Sequence, residues 1–277
     1  MKRACVIGWP INHSRSPLIH GYWLKKYRIE GSYTREAVRP EELRDFLASL
    51  SHRGFAGCNV TVPHKEAAFA VADELEPSAN AAGAANTLWL DGGKLHAANT
   101  DTYGYMTYLG WKAPGWLRAD ASVSVLGAGG AARAIISGFL EAGVAEVCVF
   151  NRSRERAEAL AAVFGPKVKP LGWDDRVVAS RGSCVLVNTT TLGMKGEGSP
   201  EIDFTGFDPS TVVSDIVYVP LETKFLADAR VAGLRTVDGL GMLLHQAVPG
   251  FERWFGKRPV VTDELYELIA ADIRASV

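Results

Sequence analysis

Val123-Ser124-Val125-Leu126-Gly127-Ala128-Gly129-Gly130-Ala131-Ala132 is the stretch on which the fold turns. Val123 to Leu126 reads as a short buried strand. The segment from Ala131 through Leu140 reads as a helix. Between them lies G-x-G-x-x-A. In that setting Gly127 permits a tight turn, Gly129 lets backbone approach a pyrophosphate, and Ala132 lets the helix pack close to the strand. The helix start offers unpaired N–H groups to an anion. Dinucleotide contacts are therefore expected from Gly127, Ala128, Gly129, Gly130 and Ala131. A tight turn with no ligand is the competing reading.

The next strand, Glu146 to Phe150, runs into Asn151-Arg152-Ser153-Arg154-Glu155-Arg156. An NAD site typically places Asp or Glu here, on the ribose hydroxyls. A carboxylate would repel the 2′-phosphate of NADP. Asn151 removes that repulsion, and arginines at 152, 154 or 156 can supply the opposite charge. Each charge-assisted contact is worth roughly 1.5–3 kcal/mol, so two favour NADP by about 10²-fold or more before screening. NADP(H) is the expected cofactor, with Asn151, Arg152, Ser153 and Arg154 at its adenosine end. The alternative is a solvated basic helix start.

Outward from this core the chain alternates strands and helices. Ahead of it, strands are expected at Ala4 to Gly8, Ser32 to Val38 and Gly57 to Val62, with a hairpin over Thr87 to Leu90 and Lys94 to Ala97. Ser16-Pro17 reads as an N-cap followed by a first-turn proline. Leu43, Phe46, Leu47 and Leu50 recur at helical spacing. Beyond the core, strands are expected at Lys167 to Leu171, Val185 to Thr189, Val212 to Val217 and Arg235 to Asp238. Strands alternating with helices imply parallel sheets covered on both faces. The pattern restarts after Asp101. The fold class is thus α/β with two domains, the second a Rossmann-type nucleotide domain.

Composition narrows the function classes. Apolar residues make up 47% and charged residues 22%, a globular profile. A formal charge of −1 gives no strong field to draw nucleic acid or an acidic membrane. Met1-Lys2-Arg3 with Ala4 to Gly8 superficially resembles a signal start, but the apolar run stops at Trp9-Pro10. No run of about 18 apolar residues is present, so no membrane span is expected. Cys5, Cys58, Cys148 and Cys184 form no CxxC, which fits a reducing, cytoplasmic setting. The six histidines make no HExxH, and no metal is expected.

Two further blocks bear on chemistry. Asn59-Val60-Thr61-Val62-Pro63-His64-Lys65 puts a lysine at a strand-to-helix junction, and Asn99-Thr100-Asp101 puts a carboxylate at a strand end. Open α/β sheets gather their sites at such ends. Oxidising an alcohol requires a hydride acceptor and a group that takes the hydroxyl proton, which a lysine oriented by an aspartate can be. Taken singly, Lys65 is equally a surface helix lysine and Asp101 a loop or cap residue. Spacing does not pair them.

His13-Ser14-Arg15-Ser16-Pro17, Asn59 to Lys65, Gly83-Ala84-Ala85-Asn86-Thr87, Asn99-Thr100-Asp101 and Asp238-Gly239-Leu240-Gly241-Met242-Leu243 together resemble the shikimate dehydrogenase family, in the family's order and over nearly the whole chain. The resemblance implies Lys65 as catalytic acid/base with Asp101 as its partner. It implies substrate contacts from Ser14, Ser16, Thr61, Asn86, Tyr218 and Gln246. Further cofactor contacts are implied from Thr189, Ile216 and Gly239. It implies a substrate domain of residues 1–101 and 240–277, and an NADP domain of residues 102–239. The two would face each other across a cleft, with the C-terminal helices returning to the first. The implied reaction is NADP-dependent, reversible reduction of 3-dehydroshikimate to shikimate in aromatic amino-acid (chorismate) biosynthesis, by a monomer or homodimer. One departure is visible: the family often has glycine after Asn-Thr-Asp, where this chain has Thr102.

Three rivals remain. One is a quinate or dual quinate/shikimate dehydrogenase. Another is a folate-linked dehydrogenase of similar architecture that also uses a lysine. The third is a non-catalytic NADP(H)-binding regulatory protein.

Overall fold

The apolar run at the start of the chain becomes the strand β1 (Lys2–Gly8), which is buried from Ala4 to Gly8 because it lies inside its sheet. The computed structural model describes residues 1–276. After β1 come α1 (Ser16–Lys26), β2 (Gly31–Ala37), α2 (Leu43–Ala48), β3 (Phe55–Val60) and α3 (Lys65–Val71). Then follow β4 (Glu74–Leu75), α4 (Pro77–Ala82), β5 (Thr87–Asp91), β6 (Lys94–Ala98) and α5 (Asp101–Lys112). The first sheet has the order β2-β1-β3-β5-β6-β4. It is mixed: β1 pairs parallel with β2 and β3, but β5 is antiparallel to both β3 and β6. The reason is local, since the Gly92-Gly93 turn at positive φ folds β5 directly back into β6.

The second half continues with β7 (Ser122–Leu126), α6 (Gly130–Glu141), β8 (Glu146–Asn151), α7 (Arg154–Phe164), β9 (Val168–Gly172) and α8 (Arg176–Ser180). It closes with β10 (Val185–Asn188), β11 (Val212–Asp215), α9 (Lys224–Val231), β12 (Arg235–Val237), α10 (Gly239–Phe255) and α11 (Asp263–Ala275). Every pairing in this sheet is parallel, in the order β12-β11-β10-β7-β8-β9. That is the doubly wound order, with its reversal between β7 and β10. Val123, Val125, Val147, Val149, Val185 and Val187 are fully buried, as strands covered on both faces require.

By compactness the chain divides into two units. One holds Met1–Asp101 and Leu244–Ile269; the other holds Thr102–Leu243 and the chain from Ala270 on. The second division thus falls within α11, between Ile269 and Ala270.

Two close approaches explain particular small residues. In the first unit, a Cβ on Gly57 would lie 2.2 Å from both Leu88 O and Trp254 Nε1. Only glycine lets the Trp254 indole reach across β3 and donate to Leu88 O at 2.9 Å. In the second unit, the Thr102 hydroxyl donates to Ala134 O at 2.8 Å, and a Cβ on Gly138 would come within 3.0 Å of its methyl. The bulkier residue at 102 is therefore seated against α6.

Candidate active site

Each unit carries one cluster of the expected residues. In the first unit, α3 opens at Lys65, after the His64 ring is anchored by a 2.7 Å hydrogen bond to Val38 O. Lys65 Nζ donates to Asp101 Oδ2 at 2.6 Å, the two residues lying 36 positions apart in sequence. The lysine side chain is about one-third exposed and the carboxylate mostly buried (31% and 12%), so the pair opens to solvent on the amine side. Asp101 Oδ1 accepts from Asn86 Nδ2 at 2.9 Å, and the Asp101 backbone N–H is held by Asn99 Oδ1 at 3.0 Å. Both carboxylate oxygens are therefore held and the Asp101 backbone is pinned, while the ammonium keeps free donors.

The other expected polar residues of this unit are short neutral groups, each held by its own bonds. Thr100 donates to Asn86 Oδ1 through its backbone N–H at 2.8 Å and its hydroxyl at 3.1 Å. The same hydroxyl is 3.5 Å from Gln246 Oε1, which places Gln246 of α10 beside the cluster. Ser14 Oγ accepts from Ser16 N at 3.4 Å, and Arg35 holds Ser14 O at 2.6 and 2.9 Å. Thr61, four residues before Lys65, closes on β1 through its N–H to Ile7 O at 3.0 Å. Ser16 corrects one expectation: it is the first residue of α1, with Arg15 at the cap position, so it does not cap the helix. Its hydroxyl instead meets the Tyr33 phenol.

In the second unit the glycine turn ends β7. Gly127 has φ +105°, and its N–H donates to Phe150 O at 2.7 Å. A Cβ there would lie 2.8 Å from Thr189 Oγ1. Thr189 is locked in turn by its N–H and hydroxyl, both donating to Leu126 O at 2.8 and 2.7 Å. Gly129 caps α6 in extended conformation, and a Cβ at Gly129 or Gly130 would meet nothing within 4 Å. The protein's own packing does not demand glycine at these two positions. Bare backbone with open space in front, at a helix N-terminus and at the sheet's switch point, fits a pyrophosphate.

Beyond β8, the Asn151 amide closes its own turn by donating to Ser153 O at 2.8 Å. Ser153 bonds Glu155 and Arg154 pairs with Glu158 at 3.1 Å. The exposed side chain of Arg152 has no hydrogen bond or ion pair among the described residues, and neither has that of Arg156. Both lie within five residues of the uncharged Asn151. Gly239 begins α10, where a Cβ would lie 2.4 Å from Ile216 O, so it and Ile216 are in contact. Tyr218 lies in the turn after β11, in this second unit.

Some polar groups escaped sequence reasoning. Asp215, at the end of β11, is buried and accepts from Asn188 Nδ2 (2.9 Å), Val217 N (2.9 Å) and Thr223 Oγ1 (2.7 Å). Burial outweighs these donors and pushes its carboxyl up to about 7. Tyr33 and Asn59 join the first cluster from behind: the Tyr33 hydroxyl donates to Asn59 Oδ1 at 2.6 Å. Asn59 stood in a recognised block without a role, and Tyr33 carried no signal beyond a strand position. Among the described residues no group of acidic, histidine or cysteine side chains could hold a metal ion, and no helix is long and apolar enough to cross a membrane.

Residues 6–88 match the family model for the shikimate dehydrogenase substrate binding domain, residues 116–179 that for shikimate / quinate 5-dehydrogenase, and residues 239–261 that for the shikimate 5′-dehydrogenase C-terminal domain. A shikimate dehydrogenase (NADP(+)) of Brucella melitensis is 55% identical over 98% of this chain and 95% of that protein. Among solved structures, shikimate 5-dehydrogenase of Thermus thermophilus, in complex with NADP(H) and shikimate, has a TM-score of 0.86 at 36% identity, covering 99% of this chain and 100% of that one. Quinate dehydrogenase of Corynebacterium glutamicum, in complex with NAD, has a TM-score of 0.88 at 28% identity, covering 98% and 100%.

Proposed function

The chain belongs to the shikimate dehydrogenase family, and we propose that it reduces 3-dehydroshikimate reversibly to shikimate with NADPH, using Lys65 and Asp101. The observation that carries this reading is the 2.6 Å contact between Lys65 Nζ and Asp101 Oδ2, flanked by Asn86. Bound NADPH supplies the hydride for the keto carbon. Lys65 Nζ supplies the proton: as the carbonyl oxygen gains charge, the ammonium donates to it and the alcohol forms. In the reverse direction the same amine takes the hydroxyl proton. Asp101 aims the amine and balances its charge. Shikimate carries three hydroxyls and a carboxylate. Ser14, Ser16, Thr61, Asn86, Gln246 and Tyr218 are short or neutral groups suited to reading that pattern, and an analogue lacking one hydroxyl would strand its partner.

The cofactor's pyrophosphate is assigned to the backbone of Gly127 to Ala131, its 2′-phosphate to Arg152 near Asn151, Ser153 and Arg154, and its nicotinamide end to Thr189, Ile216 and Gly239. The 55% identity to an NADP(+) enzyme supports this choice of cofactor over NAD. Small molecules are the only partners we assign, for a monomer or homodimer. Four free buried thiols suit the cytoplasm.

The test is direct. Purified protein should oxidise NADPH with 3-dehydroshikimate, and Lys65→Met should lower kcat by roughly 10²–10⁴, the usual size of a general acid/base contribution. Near-normal turnover by that variant would remove Lys65 from the mechanism. Parallel rates with shikimate and quinate decide between the acids; faster oxidation of quinate would overturn the substrate assignment.

A further inference from the structure

A buried chain of side-chain hydrogen bonds runs from β2 to the catalytic carboxylate. Tyr33 donates to Asn59 Oδ1 at 2.6 Å. The orientation of the Asn59 amide is settled by backbone, because its Nδ2 faces Asn86 O at 3.1 Å, a group that can only accept. Its Oδ1 must then face Tyr33, and the phenol must be the donor. Asn59 Nδ2 also donates to Thr87 Oγ1 at 3.2 Å, and Thr87 Oγ1 donates to Asn86 Oδ1 at 3.0 Å. The Asn86 amide is settled in the same way: its Oδ1 faces the Thr100 N–H at 2.8 Å, which can only donate. Its Nδ2 is left to donate to Asp101 Oδ1 at 2.9 Å. Every link points the same way and ends on the carboxylate that Lys65 holds from the other side.

The origin of the chain is built to hold a neutral donor. Tyr33 is stacked on His20 with ring centroids 4.0 Å apart and planes 9° from parallel. Burial pushes the Tyr33 phenol well above its ordinary range, so it keeps its proton. Burial also takes His20 down to about 3, so the ring beneath is uncharged. Neither nitrogen of His20 has a hydrogen-bond partner among the described residues, which makes the ring a packing surface for Tyr33.

We propose that Tyr33 is a positioning residue for the Lys65–Asp101 pair, acting through Asn59, Thr87 and Asn86 and not on the substrate itself. Aligned donors polarise one another, and a buried amide without its partner is free to flip. Loss of the phenolic hydroxyl strands Asn59 Oδ1 and loosens each link toward Asp101. This inference rests on the roles assigned above to Lys65 and Asp101.

The test is a double-mutant cycle on the full chain. Tyr33→Phe keeps the stack on His20 and removes one hydroxyl. It should lower kcat about threefold to tenfold, the size of one net hydrogen bond; because it also releases the Ser16 hydroxyl, KM for shikimate is read on the next variant. In an Asp101→Asn background the same substitution should cost less than about a further twofold, because residues acting through one another are not additive. Thr87→Val breaks the chain at a second link without touching the aromatic stack. It should reproduce the kcat loss with KM for shikimate changed by less than about twofold, and be non-additive with Tyr33→Phe. Unchanged kcat in both variants, or full multiplication of their losses with Asp101→Asn, would overturn the proposal. If Asp101→Asn and Lys65→Met themselves turned over normally, the assignment of the pair would be the part that failed.

Discussion

Gly127 and Thr189 stand so close that a Cβ on the glycine would lie 2.8 Å from the threonine Oγ1. They follow β7 and β10, the two strands between which the order of the second sheet reverses. With Gly127 at φ +105°, conformation and space exclude a side chain together.

Gly127→Ala should therefore lose both stability and cofactor affinity. Gly129→Ala separates the two effects, since a Cβ at 129 meets no atom of the protein within 4 Å. Its Tm should stay within a few degrees of the parent, while the Kd for NADPH, read by cofactor fluorescence, rises at least about tenfold through loss of close backbone approach. Unaltered affinity in Gly129→Ala would place the pyrophosphate elsewhere.

Arg152 is exposed, and among the described residues unpaired, beside an amide that carries no charge. Arg152→Ala combined with Asn151→Asp replaces attraction with repulsion at the 2′-phosphate. The ratio of kcat/KM for NADPH over NADH should fall by about 10²-fold or more, from loss of one charge-assisted contact and gain of a like charge. A ratio that does not move would remove these residues from the adenosine end of the site.

Asp215 sets a pH dependence of stability. Its carboxyl is raised from 3.8 to about 7 by burial, so between those values the folded chain binds a proton that the unfolded chain has released. The group's contribution is thus fully favourable below about pH 4. It is lost as pH rises to about 7 and stays flat above, a change on the order of 4 kcal/mol across the window. Asp215→Asn should flatten this part of the curve. Compared with the parent by urea unfolding, the variant should be relatively more stable at pH 8 than at pH 4. Parallel curves for the two proteins would show that the carboxyl titrates normally.

Gly57→Ala drives a methyl into Leu88 O and the Trp254 indole, both 2.2 Å from the new carbon. Overpacking at a backbone contact costs about 1–3 kcal/mol or more. Trp254→Phe loses the indole donor to Leu88 O at 2.9 Å, leaves that carbonyl buried, at about 1–3 kcal/mol, and opens a cavity where the larger buried ring packed. Chemical denaturation should show both variants destabilised by at least about 1 kcal/mol relative to the parent. A neutral Gly57→Ala would mean that β3 and α10 can separate there.

Much of the fold was written in local pattern. The turn at Gly127 to Ala132, the β-branched strands around it and the glycine turn between β5 and β6 each follow from the conformational limits of a few neighbouring residues. The pair proposed as acid/base was different. Lys65 and Asp101 were each unremarkable where they stood, and only family resemblance joined them.

What brings them to 2.6 Å is the sheet. Pairing of β3 with β5 in one antiparallel register sets Asn59 opposite Thr87, and β6 delivers Asp101 to the same end. The same register aligns the donors from Tyr33 to Asp101, which no spacing along the chain encodes. Residue types and periodicity decided which segments would be strands, turns and helix starts, because those choices depend on near neighbours. Which distant polar groups would meet, with their amides turned one way and Asp215 buried without charge compensation, was decided only by tertiary packing. Hydrogen-bond partners and desolvation belong to the folded interior and not to the chain.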